Sequence, residues 1–288
     1  MTQPNVTDFL IETTVRLNVL ETDGSRSCGT GFFYHKLLKN NYVSIFLVTN
    51  KHVLENAQNV NISMFTSKKD GNGYDVADYD NLQEINISGE QLAIFSDKHI
   101  SDDVDIQIIF MNVILSPYAN NGINNLYFKA LDSNLIPNLK QLEKLFSFES
   151  IVFVGYPNGQ WDEVNHLPII RTGTSASVLS KDFNGKPHFL IDASVFPGSS
   201  GSPVFIANAN SYVSRDGLVV GSRLLFLGVI AKVYQRVDAG DIIVVPAPTS
   251  VVHKAIINQM IDLGIVMKAH TVEETIDMFL EKNADKFE

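Results

Sequence analysis

The 288-residue chain has one cysteine, Cys28. One thiol excludes an internal disulfide framework and a thiolate zinc site. Cations are also scarce. There are 22 Lys and Arg against 32 Asp and Glu, for a net charge of −10 and a pI of about 5.1. A nucleic-acid binder shows the opposite balance, because it must neutralise phosphates with clustered Lys and Arg. Electrostatic docking on anionic lipid needs the same cations. Neither nucleic acid nor membrane is therefore expected as a partner. Charged residues make up 19% of the chain, below the ~25% of ordinary domains. Hydrophobic residues make up 45%, too many for a chain disordered throughout. The length suggests one or two domains and suffices to bury well over half of the unfolded surface.

Long apolar runs are missing as well. The longest, such as residues 45–48 and 242–245, are of strand length and fall far short of the ~20 residues that span a bilayer. Residues 1–8 show neither the basic nor the apolar stretch of a secretory leader. With a single thiol besides, the expected compartment is a reducing cytoplasm.

Short runs rich in Val, Ile, Phe and Tyr alternate with clusters of Gly, Asn, Asp, Ser and Pro. This is the punctuation of strands and turns. Strands are predicted at 14–20, 29–34, 44–49, 60–64, 106–110, 151–154, 169–177, 189–192, 203–207, 224–233 and 242–245. The fold class is all-β, a sandwich or barrel. Residues 117–148 are less regular, with an Asn-rich turn and a helix-like stretch near 139–145. They connect two β halves, one over 1–135 and one over 150–249, with the linker at 136–149. The remaining 250–288 should be helical. Ser250 is placed to cap a helix carrying Val251, Val252, Ala255, Ile256, Met260 and Ile261. A second helix opens at Thr271 with Glu274 three residues on, a capping-box pattern, and carries Ile276, Phe279 and Leu280. The segment from Asp70 to Asp75 suggests a calcium loop, but its sixth and twelfth positions are Asp75 and Asn81, where Gly and an acid are needed. It reads as a turn.

Three segments carry chemistry. In Pro197-Gly198-Ser199-Ser200-Gly201-Ser202-Pro203, glycines permit a tight turn that exposes a hydroxyl and points N–H groups at a developing oxyanion. In Phe46-Leu47-Val48-Thr49-Asn50-Lys51-His52, an apolar strand ends just before a His, the natural general base. In Ser101-Asp102-Asp103-Val104-Asp105-Ile106, an acidic cluster enters an apolar strand, where a carboxylate can fix an imidazole. Asp102, Asp103 and Asp105 compete for that role. Asp105 is favoured because it abuts the alternating Ile106 and Ile108, and Asp103 is second.

In this order of His, Asp and Ser, the chain resembles trypsin-like serine proteases of the chymotrypsin fold, in particular the single-domain bacterial trypsin-like peptidases. The matching residues are Gly29-Thr30-Gly31-Phe32-Phe33-Tyr34, Val48-Thr49-Asn50-Lys51-His52-Val53, Asp105-Ile106-Gln107-Ile108, Val154-Gly155-Tyr156-Pro157, Gly198 to Pro203, and Leu227-Gly228-Val229-Ile230-Ala231. They run over about residues 13–260. The resemblance implies two six-stranded antiparallel β-barrels with the site in the cleft between them. His52 and Asp105 would come from the first and Ser200 from the second. It implies no cofactor and no metal. It puts the oxyanion hole at the N–H groups of Gly198 and Ser200. It puts a specificity pocket at Ser194 and Val195, walled by Ala231, Lys232, Val233 and the region of Ile242. The family's C-terminal helix falls on 250–263, and the helix from Thr271 is an extension. Two positions depart from the pattern. Ser199 stands where digestive relatives carry the Asp that pairs with a new amino terminus, so activation should not need N-terminal cleavage. Ala231 stands where the family has a Ser that donates to the triad Asp.

The implied function is a serine endopeptidase acting on protein or peptide substrates through an acyl-enzyme. The alternative is a non-catalytic binding module of the same fold, against which the retention of Ser, His and Asp argues. An esterase fits less well, since Gly-x-Ser-x-Gly is absent at Ser200 and the His would come last. No implied pocket residue is acidic and Asp241 is the nearest carboxylate, so uncharged P1 residues such as Leu, Val, Ala or Met are expected. A small protease also needs restraint, by a regulatory partner or a switchable loop.

Overall fold

Alternation governs the first half. In β1 (Thr14–Glu21), Val15, Leu17 and Val19 are buried while the residues between them are more open, the period of a strand with one face on a core. The computed structural model describes residues 6–38, 41–120, 126–242 and 253–286, and of these the side chains at 6–7, 119–120, 235–242, 253–260 and 286 are not described. A short α1 (Val6–Glu12) leads into β1. There follow β2 (Arg26–Leu37), β3 (Val43–Thr49), β4 (Ala57–Lys69), β5 (Asp75–Ser88), α2 (Gly89–Phe95), β6 (Ser96–Lys98), β7 (Gln107–Phe110), α3 (Asn112–Asn120) and β8 (Leu126–Tyr127). The hydrogen-bonded order is β5-β4-β1-β2-β3-β7-β6, with β8 beside β4. Asp70 turns β4 into β5, its carboxylate accepting from the N–H groups of Asn72 and Tyr74.

The expected first barrel is an open sheet among the described residues. Where β5 would have to meet β6, the chain instead enters α2, fixed at its start by a capping box between Ser88 and Gln91. β6 is then only three residues long. The helix occupies the place of a seam.

The second half does close. After α4 (Leu139–Glu143) come β9 (Ser150–Gly155), β10 (Ile169–Ser175), β11 (His188–Asp192), β12 (Pro203–Asn208), the hairpin β13 (Ser211–Ser214) and β14 (Gly217–Val220), β15 (Arg223–Ile242) and β16 (His253–Lys268). The barrel runs β10-β11-β16-β15-β12-β9. The helix expected over 250–263 is corrected here. Residues 250–252 lie outside the described residues, and those from His253 on form β16. They pair antiparallel with β15 from Ile242 opposite His253 to Gly228 opposite Lys268, the register shifting between Ile230 and Lys232 and again between Val233 and Gln235. The segment is rich in Ile and Val, which favour a pleated ladder, and a long partner strand outweighs local helical spacing.

The second expected helix is α5 (His270–Lys282). Its capping box does not form. Ala269 occupies the cap position without a side-chain bond, and the buried Thr271 hydroxyl donates to the Lys268 carbonyl at 2.7 Å. Its apolar stripe is as expected, with Ile276 and Phe279 buried and Leu280 packed alongside. These join one core with Phe32, Phe46 and Ile108 of the first half and Phe205, Phe226 and Met267 of the barrel. Phe279 lies 5.7 Å from the Phe46 ring and 5.8 Å from the Phe110 ring. Phe279→Ala should therefore cost about 3–5 kcal/mol of stability, read as a lower denaturation midpoint in urea. A loss under 1 kcal/mol would mean that α5 is peripheral to the core. Among the described residues no helix is long and apolar enough to cross a membrane.

Candidate active site

The apolar strand β3 ends at Thr49, and a single 3₁₀ turn, Lys51–Val53, follows at once. His52 sits in this turn, brought to the surface by a strand whose residues before it are buried. Asp105 lies just before β7, which pairs with β3 from Gln107 opposite Thr49. Strand pairing thus sets the two side by side. His52 Nδ1 is 2.7 Å from Asp105 Oδ2, and the His52 backbone N–H donates to Asp105 Oδ1 at 3.3 Å. The buried Asn50 amide donates to the Asp105 carbonyl at 2.6 Å. Burial works against the charge on Asp105, but the hydrogen bonds and charge of His52 outweigh it and hold the carboxyl below its ordinary range. With Ala231 in place of a serine, the His52 backbone N–H serves as a further donor. The competing Asp103 pairs with Lys186 at 2.6 Å.

Ser200 comes from the turn before β12. His52 Nε2 is 2.9 Å from Ser200 Oγ. Hydroxyl, imidazole and carboxylate therefore stand in one hydrogen-bonded series, an arrangement that can move a proton off the hydroxyl. The Phe196-Pro197-Gly198-Ser199 turn has Ser199 N–H donating to Phe196 O at 3.0 Å and Gly198 at φ 85°. That is a type II turn, with Pro and Gly at their preferred positions. Pro197 O accepts from Asn158 N–H at 2.5 Å. Since a trans peptide points its N–H opposite its C=O, this bond turns the Gly198 N–H away from Asn158. Among the described residues, the N–H groups of Gly198 and Ser200 donate to no backbone acceptor outside the strands and helices.

Thr30, fully buried in β2, grips this loop. Its hydroxyl donates to Gly198 O at 2.8 Å, its N–H donates to Ser200 O at 2.9 Å, and Tyr156 N–H donates to its hydroxyl at 3.1 Å. The approach is so close that a Cβ on Gly201 would lie 1.9 Å from Thr30 O. Sequence reasoning saw Gly29-Thr30-Gly31 but gave Thr30 no role, and it missed Asn158. Ser199, beside Ser200, is buried.

The residues expected to line a specificity pocket fall in different places. Ala231 lines a cavity of about 490 Å³ beside His52, together with Lys232. Val195 is buried in the barrel core and Val233 packs against it. Ser194 is half-buried. The side chains of Asp241 and Ile242 lie outside the described residues. Among the described residues no group of three or more His, Cys, Asp or Glu is placed to hold a metal.

A family model described as the trypsin-like peptidase domain matches residues 29–213. A search of curated proteins finds no match. Among solved structures, the chain is similar to the HtrA-type protease AlgW with a tripeptide, at 11% identity and a TM-score of 0.48, covering 96% of this chain and 62% of that one. The chain thus spans about three-fifths of the length of that protein. It is similar to a serine endoprotease from Yersinia pestis at 12% identity and a TM-score of 0.48, covering 96% of this chain and 65% of that one. It is also similar to the protease Anisep from Arthrobacter nicotinovorans at 13% identity and a TM-score of 0.48, covering 93% of this chain and 94% of that one.

Proposed function

Because the chain belongs to the trypsin-like peptidase family and is a serine protease by class, we propose that it is an endopeptidase in which Ser200, His52 and Asp105 act as one unit. The observation that carries this is the unbroken series of hydrogen bonds, 2.9 Å from Ser200 to His52 and 2.7 Å from His52 to Asp105. Ser200 Oγ attacks the scissile carbonyl carbon while His52 Nε2 takes its proton. Asp105 holds the ring with Nδ1 protonated and stabilises the imidazolium. His52 then gives the proton to the leaving amine, and the C–N bond breaks. Water, deprotonated by His52, hydrolyses the acyl-enzyme and restores Ser200.

The tetrahedral oxyanion is received by the N–H groups of Gly198 and Ser200. The substrate backbone has a place beside them. β12 pairs with β15 only as far as Pro203 opposite Val229, and residues 232 and 233 of β15 pair with β16 alone. Among the described residues nothing pairs with their other edge, which can take an extended peptide as an added strand. The substrate is a protein or peptide, cut after an uncharged residue.

A fluorophosphonate probe tests this. Full-length protein should be labelled at Ser200 without prior clipping, because buried Ser199 offers no carboxylate for a new amino terminus. Labelling should vanish in Ser200→Ala and after denaturation. A folded wild-type chain that stays unlabelled favours the non-catalytic binding module.

A further inference from the structure

The helix α5 lies beyond the residues 29–213 that match the family model. Yet it packs on β6 and β7, the two strands that flank the approach to Asp105. Glu273 accepts hydrogen bonds from the buried Tyr34 and, at 2.9 Å, from Lys36, both on β2. Lys282 pairs with Asp97 of β6 at 2.9 Å. Glu274, whose spacing from Thr271 suggested a capping box, makes a different contact. Its Oε2 is 3.3 Å from His99 Nε2.

His99 is buried and opens the loop that ends at Asp105. Its backbone N–H donates to Ile106 O at 3.0 Å and closes the loop at its base. Its ring acts within the loop, where Ser101 N–H donates to Nδ1 at 3.1 Å. Ser101 gathers the rest. Its carbonyl accepts from Val104 N–H at 3.2 Å and from the Lys51 ammonium at 2.7 Å. Its hydroxyl accepts from Asp103 N–H at 3.3 Å.

These partners fix the proton on the ring. A backbone N–H only donates, so Nδ1 must be a bare acceptor. In the neutral imidazole the proton then sits on Nε2 and is donated to Glu274. The carboxylate of α5 thus selects the one tautomer that holds Ser101. The exposed pair of Lys282 with Asp97 contributes little, because water screens it. The bonds of buried His99 are less readily replaced by solvent. Small movements matter here. His52 needs Asp105 at the present 2.7 Å, and a misplacement of about 1 Å among reacting groups costs on the order of 10²-fold in rate.

We propose that His99 is a positioning residue: held in one tautomer by Glu274 of α5, it fixes Ser101 and, through that loop, the carboxylate of Asp105 against His52. It acts through Asp105 and not on the substrate. The inference rests on the peptidase reading above and gives α5 a part in it.

Two near-isosteres test this. In His99→Asn the side-chain oxygen stands where Nδ1 stood and keeps the bond to Ser101. In His99→Gln the amide nitrogen stands where Nε2 stood and keeps the bond to Glu274, but nothing accepts from Ser101. Turnover of one peptide is measured per active site, counted by fluorophosphonate labelling. His99→Gln should lose about tenfold in kcat with KM within about twofold, and should shift the far-downfield proton resonance of His52 Nδ1–H. His99→Asn should keep kcat within about threefold and leave that resonance in place. Glu274 is exposed, so its variants spare the fold. Glu274→Ala should lower kcat a few-fold, and Glu274→Gln, which keeps an acceptor, should not. Wild-type kcat per active site in His99→Gln and Glu274→Ala overturns this inference and leaves the peptidase reading standing. So do equal losses in His99→Asn and His99→Gln with an unmoved resonance, which would make His99 a structural residue only. Absence of labelling in folded wild-type protein overturns the peptidase reading, and this inference with it.

Discussion

Ser200→Ala should lower peptide turnover by on the order of 10⁴-fold or more, His52→Ala should do the same, and the double variant should be hardly worse than either. The expectation comes from geometry. Ser200 Oγ lies 2.9 Å from His52 Nε2, the proposed proton acceptor, and among the described residues no other side chain is recorded in that place. Removing either partner leaves the other without a function, so the two losses overlap. The proposed oxyanion donors are backbone groups of a loop held by Thr30 and Asn158, which neither change touches. Residual turnover above the uncatalysed rate should therefore survive in both. The check is a double-mutant cycle on kcat/KM with one peptide substrate. Strict multiplication of the two losses would mean that Ser200 and His52 act independently, and the triad would be wrong.

Asp105→Asn should be nearly as damaging, on the order of 10³–10⁴-fold in kcat. An amide keeps the shape of the side chain but can offer an N–H where His52 needs an acceptor, which favours the wrong ring tautomer. The pH dependence carries a sign. Asp105 is held below the ordinary carboxylate range, so its charge is present throughout the neutral range and is lost only as pH falls through the lowered value. The gap between wild type and Asp105→Asn should accordingly be undiminished across the neutral range, where that carboxylate stays charged. The control is Asp103→Asn. Asp103 is tied to Lys186 at the surface and should leave kcat within about twofold, as exposed pairs contribute little. Severe loss there, with Asp105→Asn active, would reassign the third member.

Much of the site was legible because it is written in local chemistry. A strand ending before His52, an acid abutting an alternating strand, and glycines around a serine are each constrained by their own few residues. Choosing Asp105 over Asp103 needed only the rule that the residue against the apolar run points inward. What escaped was set by partners far along the chain. Thr30 acquires its role from Gly198 and Ser200, and nothing in Gly29-Thr30-Gly31 announces which loop will lie against it. The C-terminal residues from 253 were misread because their apolar spacing suits a helix as well as a strand, and only the ladder with β15 decides between them. The open sheet of the first half has the same origin. Strand content was readable, but whether its end strands meet depends on α2, whose capping by Ser88 and Gln91 went unnoticed.

The grip of Thr30 makes the reactive serine a gauge of how the two halves fit. Its hydroxyl and its N–H reach across from the open sheet to carbonyls on the barrel side, so the geometry of the oxyanion loop belongs to neither half by itself. A shift at the seam of a fraction of an ångström to an ångström, small enough for the shared core to absorb, would undo both bonds while each half kept its own backbone ladder. The chain would then be folded by every spectroscopic measure and chemically silent. Loss of reactivity and loss of structure are thus separable events in this architecture, and the first requires far less movement than the second.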